Sequence, residues 1–335
     1  MSSILKTLNI MAADFGRVLL LYGGTSAERP VSLKGGKAVH AALLDAGIDC
    51  FHLDPADGLS AIVDSSFDRA LILLHGRGGE DGSIQGLLQL MGKPYTGSDV
   101  LTSALAMNKL RTKQLWLSQG LPTPAFVVLQ ADTDWSAAIA QLGGEAMVKP
   151  VHEGSSIGMR RVHSANELQA AWTHAATYDS VVIAEQYIRG REYTMAVLHD
   201  QALPIIGLST GEAFYDYAAK YELNSTRYGL PCDLGKREPE VAALALQANQ
   251  AVGARGWSRV DLMIDQHDTV WLLEVNTVPG MTDHSLVPMA AAAIGLDFQS
   301  LVVLVLAETL ADATAIHINS HLTHLLDSWR AQNIG

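Results

Sequence analysis

The chain has 335 residues, 48% hydrophobic and 17% charged, with 29 glycines and 11 prolines. This excludes disorder, collagen and coiled coil for the whole chain, and at about 150 residues per domain it predicts two domains, or three small ones around one cleft. A net charge of −12 offers no general field for nucleic acid or an anionic membrane, so an anionic substrate must be held by a few placed cations.

Cys50 and Cys232 are the only cysteines; they lack metal-type spacing and read as buried thiols of a reducing compartment. The opening stretch MSSILKTLNIMAADFGR has no signal-peptide core, and the longest aliphatic run, Leu301 to Ala307, is too short for a bilayer. The expected location is the cytoplasm. Residues 1–14 read as a frayed extension.

In chain order, a strand at Val18 to Tyr22 leads through Gly23-Gly24 into an amphipathic helix at Ser32 to Ala46. Further strands are predicted at Asp49 to Leu53 and Ala70 to Leu74. Short, fully apolar runs separated by helices are the pattern of a parallel sheet, whose carboxyl-end loops gather ligands. Those loops are GGTSAERPVS and HGRGGEDGS. The LPTP segment at Leu121 to Pro124 closes a helix from Asn108 to Gln119. An α+β texture follows: strands at Ala125 to Leu129, Ala146 to Lys149, Met159 to Val162 and Val181 to Tyr187, with helices within Asp132 to Leu142 and from Ala165 to Ala176. A third part has strands at Glu192 to Leu198, Trp257 to Ile264 and Val270 to Asn276, a helix from Glu238 to Gly253, and Ala/Leu-rich helices beyond.

Residues 258–265 and 270–276, SRVDLMID and VWLLEVN, read as a hairpin. If Asp265 and Val270 close a four-residue loop, Asp261 falls opposite Glu274, and Arg259, Asp261, Glu274 and Asn276 share one face. Two carboxylates and an amide so placed suit a hard divalent cation, above all magnesium bridging to phosphates. The same pattern also suits a plain cross-strand salt bridge from Arg259.

In MVKPVHEGSSIGM, residues 147–159, a lysine ends a strand before a Gly/Ser loop that could cover a phosphate beside Lys149. A simple hairpin turn fits as well, and the order is not that of a Walker A loop. The aperiodic stretch 216–231, with Lys220 and Tyr221, reads either as a lid over a reactive intermediate or as a solvated loop. Glu28 could receive an ammonium and His75 could contact a carboxylate; alone, a glutamate is more often solvated or helix-capping and a lone histidine at a strand end more often structural.

Taken together, LLLYGGTSAERPVS, LLHGRGGEDGSIQGLLQLMGKPYTGSDVLTSALAMNK, MVKPVHEGSSIGM, FYDYAAKY, WSRVDLMID and LLEVNTVPGMTDHSLVPMAA resemble the D-alanine–D-alanine ligases of the ATP-grasp superfamily. The resemblance runs from Arg17 to Leu310. It implies an α/β and α+β chain with an ATP-grasp fold: an N-terminal Rossmann-like parallel-sheet domain (15–106), a central module (107–190) and a C-terminal module with lid and metal site (191–335). It also implies ATP-dependent joining of two D-alanines through a D-alanyl phosphate, with magnesium, expected as two ions and replaceable by manganese. A cytoplasmic homodimer without nucleic acid or membrane partners is expected.

By the same resemblance, Glu28 takes the first substrate's ammonium and His75 lies near its carboxylate. Lys109, Lys149 and Lys220 contact phosphates, while Glu185 and Glu192 hold adenine-side and ribose groups. Ser155 and Tyr221 join Glu28 in holding the lid, and Arg259 stabilises the oxyanion. Asp261, Glu274 and Asn276 are the metal ligands; Gly280 and Ser285 receive the second substrate's carboxylate. Pro30 and Val278 depart from the family pattern and question loop rigidity, and His152 is read as facing solvent. An ester-forming D-alanine–D-lactate ligase and a non-catalytic nucleotide-binding regulator are the alternatives. Intact Lys149, Arg259, Asp261, Glu274 and Asn276 argue against the latter.

Overall fold

The computed structural model describes residues 3–209, 227–282, 285–310 and 312–334. It opens with a helix, α1 (Ser3–Thr7), and a 3-10 turn at Ala12–Phe15. This corrects the expectation of a frayed extension: Ile4, Leu5, Leu8 and Ile10 are buried in the same core as the first sheet. Strands β1 (Val18–Leu21), β2 (Cys50–Leu53) and β3 (Arg69–Ile72) pair in parallel with β1 in the centre. Covered on both faces, β1 is buried along its whole length, which is why its sequence, VLLL, does not alternate.

Helix α2 (Arg29–Asp45) carries Pro30 as its second residue, where a missing N–H costs nothing in a first turn. A Cβ at Gly36 would collide with the Tyr22 ring, and one at Gly35 would press on the Met281 backbone. Their small size lets α2 lie close to both the first sheet and the 277–282 segment. Short helices α3 (Ser60–Val63), α4 (Ser83–Leu90) and α5 (Val100–Met107) lead to α6 (Lys109–Ser118).

A second sheet of four strands runs β4 (Phe126–Leu129), β7 (Val182–Gln186), β5 (Ala146–Pro150), β6 (Arg160–Val162). Helices α7 (Trp135–Gln141) and α8 (Ala165–Ala175) share its core. A third sheet of six strands is built from β8 (Gly190–Leu198), β9 (Gln201–Ala202), β10 (Ile206–Ser209), β11 (Arg227–Gly229), β12 (Trp257–Asp265) and β13 (Val270–Asn276). Helix α9 (Glu238–Val252) packs on it, together with Trp116 of α6, whose indole N–H donates to Ala248 O at 3.0 Å. Helices α10 (Leu286–Ala293), α11 (Phe298–Ala307) and α12 (Asp312–Asn333) follow. Their buried residues return to the core of the first sheet.

The β12–β13 hairpin differs from its predicted form in one respect. Ile264 pairs with Val270, so the loop holds five residues rather than four, and a bulge between Asp261 and Leu262 on one strand takes up the extra residue at Leu273 on the other. Beyond the bulge, Asp261 faces Glu274 and Arg259 faces Asn276, as predicted. The Asp265 carboxylate accepts the His267 and Thr269 N–H groups and shapes the longer loop.

Glu308 follows α11 and ties the first and third sheets together. Its carboxylate accepts the Gly97 N–H and packs on Gly256, where any Cβ would collide with it. Burial, with a smaller push from Asp200, raises its pKa to about 8 despite Arg255 nearby. A raised carboxyl pKa contributes stability that is complete below the ordinary carboxylate range and lost as pH climbs through about 8. Glu308→Gln should therefore gain on the parent as pH rises from 5 to 9, by more than about 2 °C in melting temperature. Thermal melts with a constant gap across that range would show that Glu308 does not titrate there.

Candidate active site

A cleft of about 750 Å3 separates the four- and six-stranded sheets. Lys109, Lys149, Ser155 and Glu185 line one side, Asp261 and Glu274 the other. Alternation along β12 sends Asp261 and Met263 into the cleft. The bulge sends the consecutive pair Leu273 and Glu274 there from β13.

Among the cations, Lys109 begins α6, where the Asn108 side chain caps the helix through the Arg111 N–H at 2.9 Å. Its ammonium donates to Glu153 O at 2.7 Å and pairs with Glu274 at 3.1 Å. Burial works against that charge, but Glu274, Glu185 and Glu28 outweigh it and hold Lys109 above the usual lysine range. Lys149 donates to Glu185 Oε2 at 2.9 Å.

The other Glu185 oxygen lies 3.3 Å from Lys113, a residue that sequence reasoning missed. Lys113 stands one turn after Lys109 on α6, so the i, i+4 spacing in KLRTK is a signal that could have found it. It is wholly buried and donates to Thr123 Oγ1 at 2.7 Å. Burial pulls it down to about 8, with Glu185 opposing. Glu185 stays below the usual carboxylate range because its two lysines outweigh burial. Glu192 lines the same cleft on β8.

Arg259 forms a fork on Asp261 of its own strand, Nε to Oδ1 at 2.8 Å and Nη2 to Oδ2 at 2.7 Å. Thr194 of β8 adds a hydroxyl to Oδ1 at 2.6 Å. Asn276 Oδ1 accepts the Val278 N–H at 3.1 Å. Among the described residues no cluster of three or more His, Cys, Asp or Glu forms a metal cage. The Asp261, Glu274 and Asn276 set nevertheless has the all-oxygen chemistry that a hard cation takes, and strand register brings it together.

Glu28, which caps α2, reaches the cleft through Ser155 of its lining, while His75, after β3, lines a neighbouring pocket with Gly24, Thr25 and Leu74 and feels the Glu28 charge. Ser155 donates its hydroxyl to Glu28 Oε1. Ser155 and the next residue, Ser156, both have left-handed φ, 49° and 61°, a cost that serines bear where position is constrained. His75 donates from Nδ1 to Val278 O at 2.9 Å, and burial lowers its pKa, so it is neutral with the proton on Nδ1. The acceptor is the main-chain carbonyl of Val278, and the valine side chain that stands in place of the expected small polar residue is buried.

Glu80, a second residue missed from the sequence, accepts the Gly76 N–H at 2.6 Å. Burial, then Glu28, pushes it up to about 8. Gly280 lies against Ser285, whose Oγ accepts the Thr282 N–H at 2.8 Å. His152 does not simply face solvent: Asp179 lies 2.8 Å from Nδ1 and Asn108 2.9 Å from Nε2. Lys220 and Tyr221 lie outside the described residues.

Residues 115–307 match the family model for the D-ala D-ala ligase C-terminus, and residues 55–98 that for the N-terminus. A D-alanine–D-alanine ligase of Pseudomonas putida is 58% identical over 308 residues, covering 91% of this chain and 96% of that one. Among solved structures, the D-alanine–D-alanine ligase of Bacillus anthracis superposes with a TM-score of 0.79 at 31% identity, over 91% of this chain and 99% of that one. The Bacillus anthracis enzyme complexed with ATP gives 0.76 at 28% identity, with the same coverage.

Proposed function

The chain belongs to the D-alanine–D-alanine ligase family, and we propose that the residues around its cleft divide between them the two steps of that family's reaction. The protein joins two D-alanines at the expense of ATP and supplies the dipeptide for peptidoglycan. In the first step the carboxylate of one D-alanine attacks the γ-phosphate and ADP leaves. In the second, the amine of the other D-alanine attacks the acyl phosphate carbonyl, a proton is lost from nitrogen, and phosphate departs.

Glu28 holds the first substrate's ammonium and His75 lies by its carboxylate. Lys109 and Lys149 take phosphate oxygens, while Glu185 and Glu192 face the adenine side and the ribose. Arg259, its plane fixed by Asp261, meets the tetrahedral oxyanion with donors already in place. Gly280 and Ser285 receive the second carboxylate. Ser155, bonded to Glu28, holds the Gly/Ser loop over the acyl phosphate and keeps water away. The reading is carried by the Ser155 to Glu28 hydrogen bond, which joins the substrate loop of the first sheet to the loop roofing the cation-lined cleft.

Asp261, Glu274 and Asn276 would hold magnesium, expected as two ions with manganese as a substitute, to disperse phosphoryl charge. The proposed modules are 15–106, 107–190 and 191–335, in a cytoplasmic homodimer. Among the described residues, no single helix is long and apolar enough to cross a membrane.

ADP release measured in parallel with D-alanine, L-alanine, D-serine and D-lactate, with products weighed by mass spectrometry, tests the reaction. D-Alanyl-D-alanine should dominate, and ADP release that D-alanine fails to stimulate would refute it. For the metal, Glu274→Gln should raise the magnesium concentration that half-saturates ATP binding by at least about tenfold. An unchanged magnesium requirement removes Glu274 from the ligand set.

A further inference from the structure

Among the described residues, three lysines beneath the cleft pair with two acids. Lys109 is matched by Glu274, whereas Glu185 alone is shared by Lys113 and Lys149. Two ammoniums on one buried carboxylate leave a positive charge over, and an interior tolerates that only at a cost unless an anion completes the set. Lys149 lines the cleft and can meet such an anion; Lys113 has no exposed surface and does not line it.

We propose that Lys113 is a positioning residue for capture of the nucleotide's phosphates: by occupying one oxygen of Glu185, it keeps Lys149 from being fully neutralised and leaves that ammonium available to the cleft. The proposal rests on the reading of this cleft as the ATP site. Lys113 has a structural task as well. It donates to Thr123 Oγ1, which donates to Leu272 O at 2.8 Å, so α6, the LPTP segment and β13 are joined through it. A test must therefore separate charge from scaffolding.

Lys113→Met keeps an unbranched apolar chain of similar length and removes the charge. ATP, which presents phosphates, and adenosine, which presents none, are titrated separately by calorimetry. Lys113→Met should weaken ATP binding by about 10- to 100-fold, the size of one charge-assisted contact, and change adenosine binding by less than about threefold. Thr123→Val cuts the scaffold link but leaves both ammoniums, and it should keep the parent's ratio of ATP to adenosine affinity. Equal losses for the two ligands in Lys113→Met, or the same loss of ratio in Thr123→Val, would make Lys113 structural and overturn the proposal.

Because the effect runs through Glu185, it should vanish once that carboxylate is gone. Lys113→Met in a Glu185→Gln background should leave the ATP to adenosine ratio within about threefold of Glu185→Gln alone, and a further large fall there also overturns the proposal. This second comparison carries the test if Lys113→Met alone fails to fold. If the parent protein itself binds no ATP, the assignment of the cleft fails instead, and the two failures are distinguishable.

Discussion

Arg259→Lys is expected to lower turnover by about 10²- to 10³-fold, the range for loss of one preorganised oxyanion donor, with little change in KM for ATP. The structure gives the reason. Asp261 grips the Nε and Nη2 edge of the guanidinium, and Thr194 holds Asp261 in turn. The plane of the remaining donors is thereby set before substrate arrives. Lysine offers a single rotating ammonium that cannot bond both Asp261 oxygens and present a planar edge at once. Steady-state kinetics with D-alanine and ATP varied in turn distinguish the roles: unchanged kcat with a raised KM for ATP would make Arg259 a nucleotide contact.

That arrangement was partly legible in the sequence. Strand alternation alone put Arg259, Asp261, Glu274 and Asn276 on one face, because a period of two leaves no other choice once Asp261 faces Glu274. The predicted loop was one residue too short, and the bulge compensated for the difference. No local signal marks a bulge at Leu273, since it answers to the neighbouring strands. The short apolar runs separated by helices pointed to the parallel first sheet and to the loops at its carboxyl edge.

What the sequence hid depends on distant partners. Ile4, Leu5 and Leu8 become core through packing with residues near the other end of the chain. Lys113 looks like an ordinary helix lysine until Glu185 and Thr123 arrive from two other elements. Glu80, which could pass for a solvated loop acid, is buried with Glu28 near enough to raise its pKa. The left-handed backbone of Ser155 and Ser156 is likewise unreadable, because serine gives no hint of it.

Glu28→Gln should raise KM for D-alanine by about 10- to 100-fold, the cost of exchanging a charged hydrogen-bond partner for a neutral one. Gln retains a carbonyl oxygen that can accept from Ser155, so the bond across the cleft mouth can survive while the charge is lost. Ser155→Ala makes the complementary change, keeping the charge and cutting the bond. It should act mainly on kcat, because an unlatched loop exposes the acyl phosphate to water. A second consequence follows from Glu80. Burial is the larger cause of its raised pKa, and the Glu28 charge is the next. Glu80 therefore contributes stability that is complete below the ordinary carboxylate range and lost as pH rises through about 8. With Glu28 neutral, the Glu80 pKa moves down and less stability is lost over that window. Glu28→Gln should thus melt higher relative to the parent at pH 8.5 than at pH 5, even as its substrate affinity falls. A KM for D-alanine that stays at the parent value would dissociate Glu28 from the ammonium, and a melting difference independent of pH would show that the two carboxylates do not feel each other.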